Sequence, residues 1–532
     1  MHSRTTTLAL LLLALYSCQS GQEENTLFRR VAPEHSGVQF NNLIPDNDSF
    51  NILSYEYIYN GGGVAIADFD NDGLADLFFS GNIVDNKLYR NKGDFQFEDI
   101  TGPAKVAAPG SWCSGVAVVD INQDGYKDLY VCSNTLKEGA KRQNLLFVNQ
   151  FPETGKLEFE ELAASYGIAD TSYSTNSAFF DYDNDGDLDL FIINNNMQES
   201  RNPTVYTHQK DLLVADRVDK LYRNDWPEGQ EHPVYTDVSR EAGITIDGYS
   251  LGINICDLNQ DGWKDVYVTN DFLSNDLLYI NNQDGTFTNK AKEYLKHTGY
   301  SAMGNDVVDI NNDGLPDIVA LDMLPESNYR KKTMLGPTNY TTYLYTERYG
   351  LMQQYIRNVL QVNQGKRPHT GEPVFSDLAM LAGIEATDWS WAPVVADFDR
   401  DGFRDLVITN GFPKDITDRD FMDYQANYFA YVEQHKMLAK IPEVKLDNYA
   451  YRNKGGVEFE DVTQQWGLNT PSFSNGAAYG DLDNDGDLDL VVNNINDQAF
   501  LYKNTATSGN YLCIELTGKP NNREALGATI AY

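Results

Sequence analysis

One nine-residue pattern, D-x-[DN]-x-D-G-x-x-D, recurs seven times along the 532 residues and limits the possible folds more than any other feature. The first copies are Asp68, Asp70, Asp72, Gly73 and Asp76; Asp120, Asn122, Asp124, Gly125 and Asp128; Asp181, Asp183, Asp185, Gly186 and Asp189; and Asp257, Asn259, Asp261, Gly262 and Asp265. Three more place Asp309, Asn311, Asp313, Gly314 and Asp317; Asp397, Asp399, Asp401, Gly402 and Asp405; and Asp481, Asp483, Asp485, Gly486 and Asp489. Oxygen ligands at positions 1, 3, 5 and 9, with a main-chain carbonyl at position 7, can surround a hard cation that accepts about six to eight oxygens, and Gly at position 6 permits the sharp turn. The first six positions read like an EF-hand loop, but no Glu stands at position 12 and the flanks are strand-like. Apolar stretches such as Val64 to Ala67, Val116 to Val119 and Val394 to Ala396 precede the loops, and β-rich ones such as Leu77-Phe78-Phe79, Val266-Tyr267-Val268 and Leu406-Val407-Ile408 follow. Each loop is therefore expected to close a β-hairpin.

A third strand follows each hairpin, as in Leu88-Tyr89-Arg90-Asn91 and Leu501-Tyr502-Lys503-Asn504, and an aromatic-led fourth follows six of the seven, as in Phe97 to Thr101. The missing fourth strand stands at the other end of the chain, Phe28 to Ala32, with Gly37-Val38 matching the Gly-Ile or Gly-Leu behind the others (Gly167-Ile168, Gly467-Leu468). Four antiparallel strands in seven units, the last completed by the N-terminus, predict an all-β fold: a closed seven-bladed β-propeller over residues 28–504, which leaves only short sheet edges exposed.

Composition bounds the partners. Hydrophobic residues at 41% and aromatics at 12% suffice for a large core, so disorder is excluded. The formal charge of -37 repels phosphate backbones and anionic headgroups, which argues against nucleic acid.

The repeats resemble FG-GAP/VCBS repeats, as in the propeller of integrin α subunits, where this loop binds calcium between the first and second strands. The resemblance covers about nine-tenths of the chain and implies up to seven Ca²⁺, held by the 28 Asp and Asn side chains at positions 1, 3, 5 and 9. Residues 505–532, from Asn510-Tyr511 through Gly518 to Gly527-Ala528, are similar to the opening of an ASPIC/UnbV domain, of which about two strands are expected.

At the other terminus, Arg4 and the apolar run Leu8 to Leu15 fit a signal peptide (1–17), too short to span a bilayer. Leu15-Tyr16-Ser17-Cys18 resembles a bacterial lipobox, so Cys18 is expected to be diacylated and residues 18–27 to form a tether. That implies an exported lipoprotein at the outer membrane or surface of a Gram-negative cell, touching the membrane only through its anchor. Among the remaining cysteines, Cys113 and Cys132 flank one hairpin and are candidates for a disulfide.

The face opposite the loops carries three long connections, about Met197 to Lys220, Asp322 to Asn358 and Gly411 to Tyr449, the last two rich in Tyr and Phe. Eight residues before each first Asp, five blades place an aromatic: Trp112, Tyr173, Tyr249, Trp389 and Phe473, expected to ring the mouth of the central channel, either as a ligand site or as packing between blades. Gly248-Tyr249-Ser250-Leu251-Gly252 matches a nucleophile elbow, but it leads into a hairpin and Ser recurs at that offset (Ser174, Ser390, Ser474), so it reads as a repeat element. The seven histidines are dispersed. No catalytic residues emerge. The expected function is an extracytoplasmic calcium-binding propeller serving as a binding or scaffold module for a glycan or protein at the cell envelope. The alternatives are a polysaccharide lyase or hydrolase, and a structural spacer in a longer chain.

Overall fold

Alternating apolar strands and Gly-centred turns fold into seven four-stranded antiparallel sheets, as the spacing predicts. The computed structural model describes residues 26–48, 50–196, 217–226, 230, 232–334, 336, 340–507, 509–519 and 521–530; the signal segment, Cys18 and most of the first long connection lie outside them. Blade 1 comprises Val64–Ala67, Asp76–Phe79, Lys87–Asn91 and Phe97–Asp99 in spatial order. Blades 2 to 6 repeat this arrangement, and blade 7 comprises Ser474–Gly480, Asp489–Asn494, Phe500–Asn504 and, from the N-terminus, Phe28–Arg30. That last strand pairs antiparallel, Phe28 opposite Asn504 and Arg30 opposite Tyr502.

The first strands of neighbouring blades touch all the way round, so the sheets form a ring about a central channel. Second strands are covered on both faces by adjacent blades and are buried throughout, as in Asp128–Ser133 and Asp405–Asn410. Accordingly, seven of the eight apolar clusters found among the described residues straddle two blades, and the eighth lies on the long-connection face.

Cys113 and Cys132 do not form the disulfide considered from the sequence. Cys113 pairs with Ser133, so Cys132 points to the other face of blade 2 and packs in the next inter-blade cluster. Residues 505–530 form no strand among the described residues, only a bridge between Lys519 and Asn522, because two strands have no face of their own to bury. This segment instead crosses the Asp-loop face, with Tyr511 beneath the Arg400 guanidinium and Asn521 near Gln123.

Candidate metal loops and the covered face

In each loop the position-1 carboxylate caps the turn. Asp68 accepts from Asp72 N at 3.1 Å and Gly73 N at 2.8 Å, and Asp257, Asp309, Asp397 and Asp481 do the same. Position 5 accepts from the position-7 N–H, as Asp72 does from Leu74 at 3.0 Å. The position-6 glycines take φ of 83° to 100°, where an L side chain is strained, which is why the turn needs Gly.

Position 4 was not singled out in the sequence, yet it is left-handed in every loop, with φ of 54° to 62° at Asn71, Gln123, Asn184, Gln260, Asn312, Arg400 and Asn484. Five of these side chains reach the next blade's position-6 carbonyl, including Asn71 to Gly125 at 3.0 Å, Gln260 to Gly314 at 2.7 Å and Asn484 to Gly73 at 2.9 Å. The recurrence of Asn at this position (Asn71, Asn184, Asn312, Asn484) was the available signal, since Asn tolerates the left-handed region better than most residues.

Position 9 opens the second strand and splits its two oxygens between two main-chain donors. Asp76 accepts from Phe69 N at 3.2 Å and from Asn91 N, on the third strand, at 2.8 Å, and all seven position-9 residues repeat this pair. The third-strand Asn completes the scheme. Its amide bonds the position-8 carbonyl of its own loop and, in five blades, the position-2 carbonyl of the preceding blade: Asn149 to Phe69 at 2.8 Å and Asn504 to Phe398 at 2.8 Å. Together these bonds tie loops and third strands of neighbouring blades into a belt that runs from blade 3 round to blade 2, with no such bond between blades 2 and 3 among the described residues.

In the loops of blades 1, 3, 6 and 7, three carboxylates place oxygens within 4.8 Å of one another: Asp68, Asp70, Asp76; Asp181, Asp183, Asp189; Asp397, Asp399, Asp405; and Asp481, Asp483, Asp485. Blades 2, 4 and 5 carry an amide at position 3 (Asn122, Asn259, Asn311) beside Asp120, Asp124, Asp128; Asp257, Asp261, Asp265; and Asp309, Asp313, Asp317. Asp185 and Asp401 complete position 5 in blades 3 and 6. The donor set fits a hard divalent cation, because all its ligand atoms are oxygens and Oδ1 of both Asp70 and Asp120, each over nine-tenths buried, has no hydrogen-bond partner within the protein. Burial pushes the position-9 carboxyls up against their main-chain donors, to about 7 at Asp76, about 9 at Asp189 and about 8 at Asp405 and Asp489. A cation in the loop would supply the charge that such carboxylates otherwise meet with a proton.

The opposite face is covered. Residues 41–62, between the closing strand and blade 1, cross the channel mouth: Asn42 bonds Asn82 at 2.7 Å, Ile44 N donates to Asn496 at 2.8 Å, and Tyr57 OH donates to Asp271 of blade 4 at 2.8 Å. Beneath this cover a cavity of about 220 Å³ is bordered by the first strands, including Ser114, Asn176, Asn305 and Asn475. The five aromatics expected at the channel mouth are packed rather than open to a ligand, and Trp112 borders the cavity. Trp112, Tyr173, Tyr249, Trp389 and Phe473 are all buried, and their faces are occupied: Trp389 stacks on Phe412 at 4.0 Å, Trp112 meets Phe50 at 5.5 Å, and Arg142 lies 3.7 Å over Tyr173. Phe272 packs on Tyr249 and Lys445 lies over Phe473. The cover could have been suspected from the apolar and aromatic run Phe50 to Tyr59 in a stretch outside any repeat.

The described long connections hold short helices. Arg330 of the second connection joins the third through Nη1, 2.6 Å from Asp415, while Nη2 lies 2.9 Å from Asp388, just before the first strand of blade 6. Among the aromatics of these connections Phe421 is buried, whereas Tyr340, Tyr428, Phe429 and Tyr431 are exposed. Ser250 is fully buried, donating to Asp219 at 2.9 Å, and offers no reachable nucleophile.

Comparison with known proteins bears on the repeat. Residues 68–131, 257–320 and 444–492 match the FG-GAP-like repeat. The chain carries FG-GAP-like repeats. This FG-GAP-like propeller is similar to cartilage acidic protein 1 of Xenopus tropicalis, 28% identical over 212 residues, covering 40% of this chain and 29% of that protein. The Homo sapiens protein of the same name is 25% identical over 213 residues, 40% of this chain and 28% of that one. The match thus spans under a third of these relatives' length. Among solved structures, a chain from the complex of BBS1N with ARL6DN has a TM-score of 0.42 at 9% identity, covering 91% of this chain and 99% of that chain.

Proposed function

We propose that this propeller is a calcium-stapled binding or scaffold module that works outside the cytoplasm. The observation that carries the calcium reading is the gathering of carboxylate oxygens within 4.8 Å in four loops, with a buried, unpartnered oxygen on Asp70. Up to seven ions are expected, one per loop, held by positions 1, 3, 5 and 9. Calcium would supply positive charge where four carboxylates, or three and an amide, converge, and the amides that join neighbouring loops would pass that restraint from blade to blade across the junctions they span. Extracellular calcium modules bind at about 10⁻⁴ to 10⁻³ M, so the test is thermal melting in a chelator and across millimolar calcium. A melting temperature that ignores both would overturn the reading.

The partner class that fits is a glycan or a protein met on the long-connection face, where Tyr340, Tyr428 and Tyr431 offer exposed rings suited to sugar faces or peptide side chains. A glycan array probed with and without calcium tests this. The N-terminal run Leu8 to Leu15 and Cys18 support a location outside the cytoplasm, since lipidation of Cys18 would tether the module to a bacterial envelope. Cys18→Ser should release it from membranes, and retention would refute the anchor.

A further inference from the structure

Across the blades, loop position 3 and the residue just before the third-strand Asn change together. Where position 3 is Asp (Asp70, Asp183, Asp399, Asp483), the strand carries a cation (Arg90, Arg223, Arg452, Lys503); where it is Asn (Asn122, Asn259, Asn311), the strand carries Val148, Ile280 or Val362. All seven blades obey this rule.

The geometry gives the reason. Arg90 Nη2 lies 2.6 Å from Asp70 and 3.1 Å from Asp72, and Arg452 reaches Asp399 at 2.7 Å and Asp401 at 2.9 Å. Lys503 pairs with Asp483 and lies 3.3 Å from Asp485. In the other class the position-3 amide itself donates to the position-5 carboxylate: Asn122 to Asp124 at 2.8 Å, Asn259 to Asp261 at 2.9 Å and Asn311 to Asp313 at 3.0 Å. The position-5 carboxylate therefore receives an N–H donor in both classes, from the strand in one and from within the loop in the other. Blade 3 is the geometric exception, since Arg223 turns to Asp225 at 2.9 Å, a carboxylate that no other blade has directly after its third-strand Asn.

Counted over positions 1, 3, 5 and 9 plus the strand residue, four carboxylates and a cation leave three net negative charges, and three carboxylates with an amide leave three as well. Side chains at positions 7 and 8, such as Asp187 and Lys127, lie outside this ligand set and do not follow the rule. We propose that the third-strand cation is a positioning and charge-matching residue, which holds the position-3 and position-5 carboxylates and brings both loop classes to one net charge, so that different ligand sets bind calcium alike. The calcium clause rests on the function proposed above; the pairing itself does not.

The test is a double-mutant cycle in the full chain: Asp399→Asn, Arg452→Val and both together, melted in chelator and in millimolar calcium. Arg452→Val should lower the chelator melting temperature by a few degrees, while Arg452→Lys, the residue class blade 7 uses, should not. Asp399→Asn alone should raise the calcium needed for stabilisation about tenfold, and the double variant should return close to the parent in both conditions. Should Arg452→Val fail to fold, Lys503→Val with Asp483→Asn repeats the cycle in blade 7. Double-variant shifts equal to the sum of the single ones, or Arg452→Lys behaving like Arg452→Val, would overturn the proposal. If chelation leaves the parent unchanged, the calcium reading fails, and coupling in chelator still decides the pairing.

Discussion

The side-chain amide of Asn91 donates to the main-chain carbonyl of Leu482 at 2.8 Å, joining the first blade to the last across the seam where the ring closes. A second bond from the same amide, to Ala75 at 2.9 Å, fixes the blade's own loop. The seam is thus held on the loop face independently of the strand exchanged at the rim. Asn91→Ala leaves one buried and one half-buried carbonyl without this donor and should cost about 2–4 kcal/mol. Asn224→Ala, whose amide bonds stay within blade 3, should cost less. Urea unfolding of the two variants in calcium checks the order, and equal losses would deny the seam a special role.

Phe28 carries the rim closure. It is 1% exposed and meets Phe398, Trp466 and Tyr502 edge-on at 5.5, 6.1 and 6.4 Å. Phe28→Ala should cost about 3–5 kcal/mol and loosen the last blade first. Hydrogen exchange should show protection lost at Phe500–Asn504 before other third strands, and uniform loss would contradict local closure.

Trp389 should behave as a packing residue. Its stack on Phe412 lies in the cluster under residues 41–62, so Trp389→Ala should lower the melting temperature, with a loss of about 3–5 kcal/mol. Trp389→Phe should recover much of it. A Trp389→Ala protein as stable as the parent would refute the packing assignment.

Burial pushes the carboxyls of Asp219, Asp276 and Asp322, which lie away from the Asp loops, up to about 7. In the unfolded chain they ionise near 3.8, so between those values the folded state holds more protons. Their contribution to stability is complete below about 4, declines as pH rises to about 7 by up to about 1.4 kcal/mol per unit and group, and is level above that. Asp276→Asn should therefore flatten the pH dependence of unfolding free energy at saturating calcium between pH 5 and 7. An unchanged slope would show that Asp276 ionises normally.

Much of the architecture was legible because each element repeats: the hairpin around Asp68 to Asp76 predicts the other six, and the absent fourth strand after Asn504 points to Phe28. What was not legible depends on partners distant in sequence. Trp112 and Trp389 sit where their offset from the loop places them, but residues 41–62 cover them, and that segment has no repeat to announce it. Asn91 looked like a strand end; its role appears only when Leu482 becomes its neighbour. Cys113 and Cys132 looked bridgeable because the hairpin brings them near, while the alternation of side chains sends them to opposite faces.

The exchanged strand also dictates the order of assembly. Leu27 bonds Thr505 across 478 residues of sequence, so the closing strand, made before every blade, finds its partner only after the last blade exists. Until then the chain carries an unpaired outer edge on its final sheet and an unshielded Phe28, and contacts of such long range close slowly. The interval between completion of the seventh blade and capture of its terminal strand is therefore the window in which this protein is open to intermolecular strand pairing. Chaperone demand should be concentrated there rather than on any single blade.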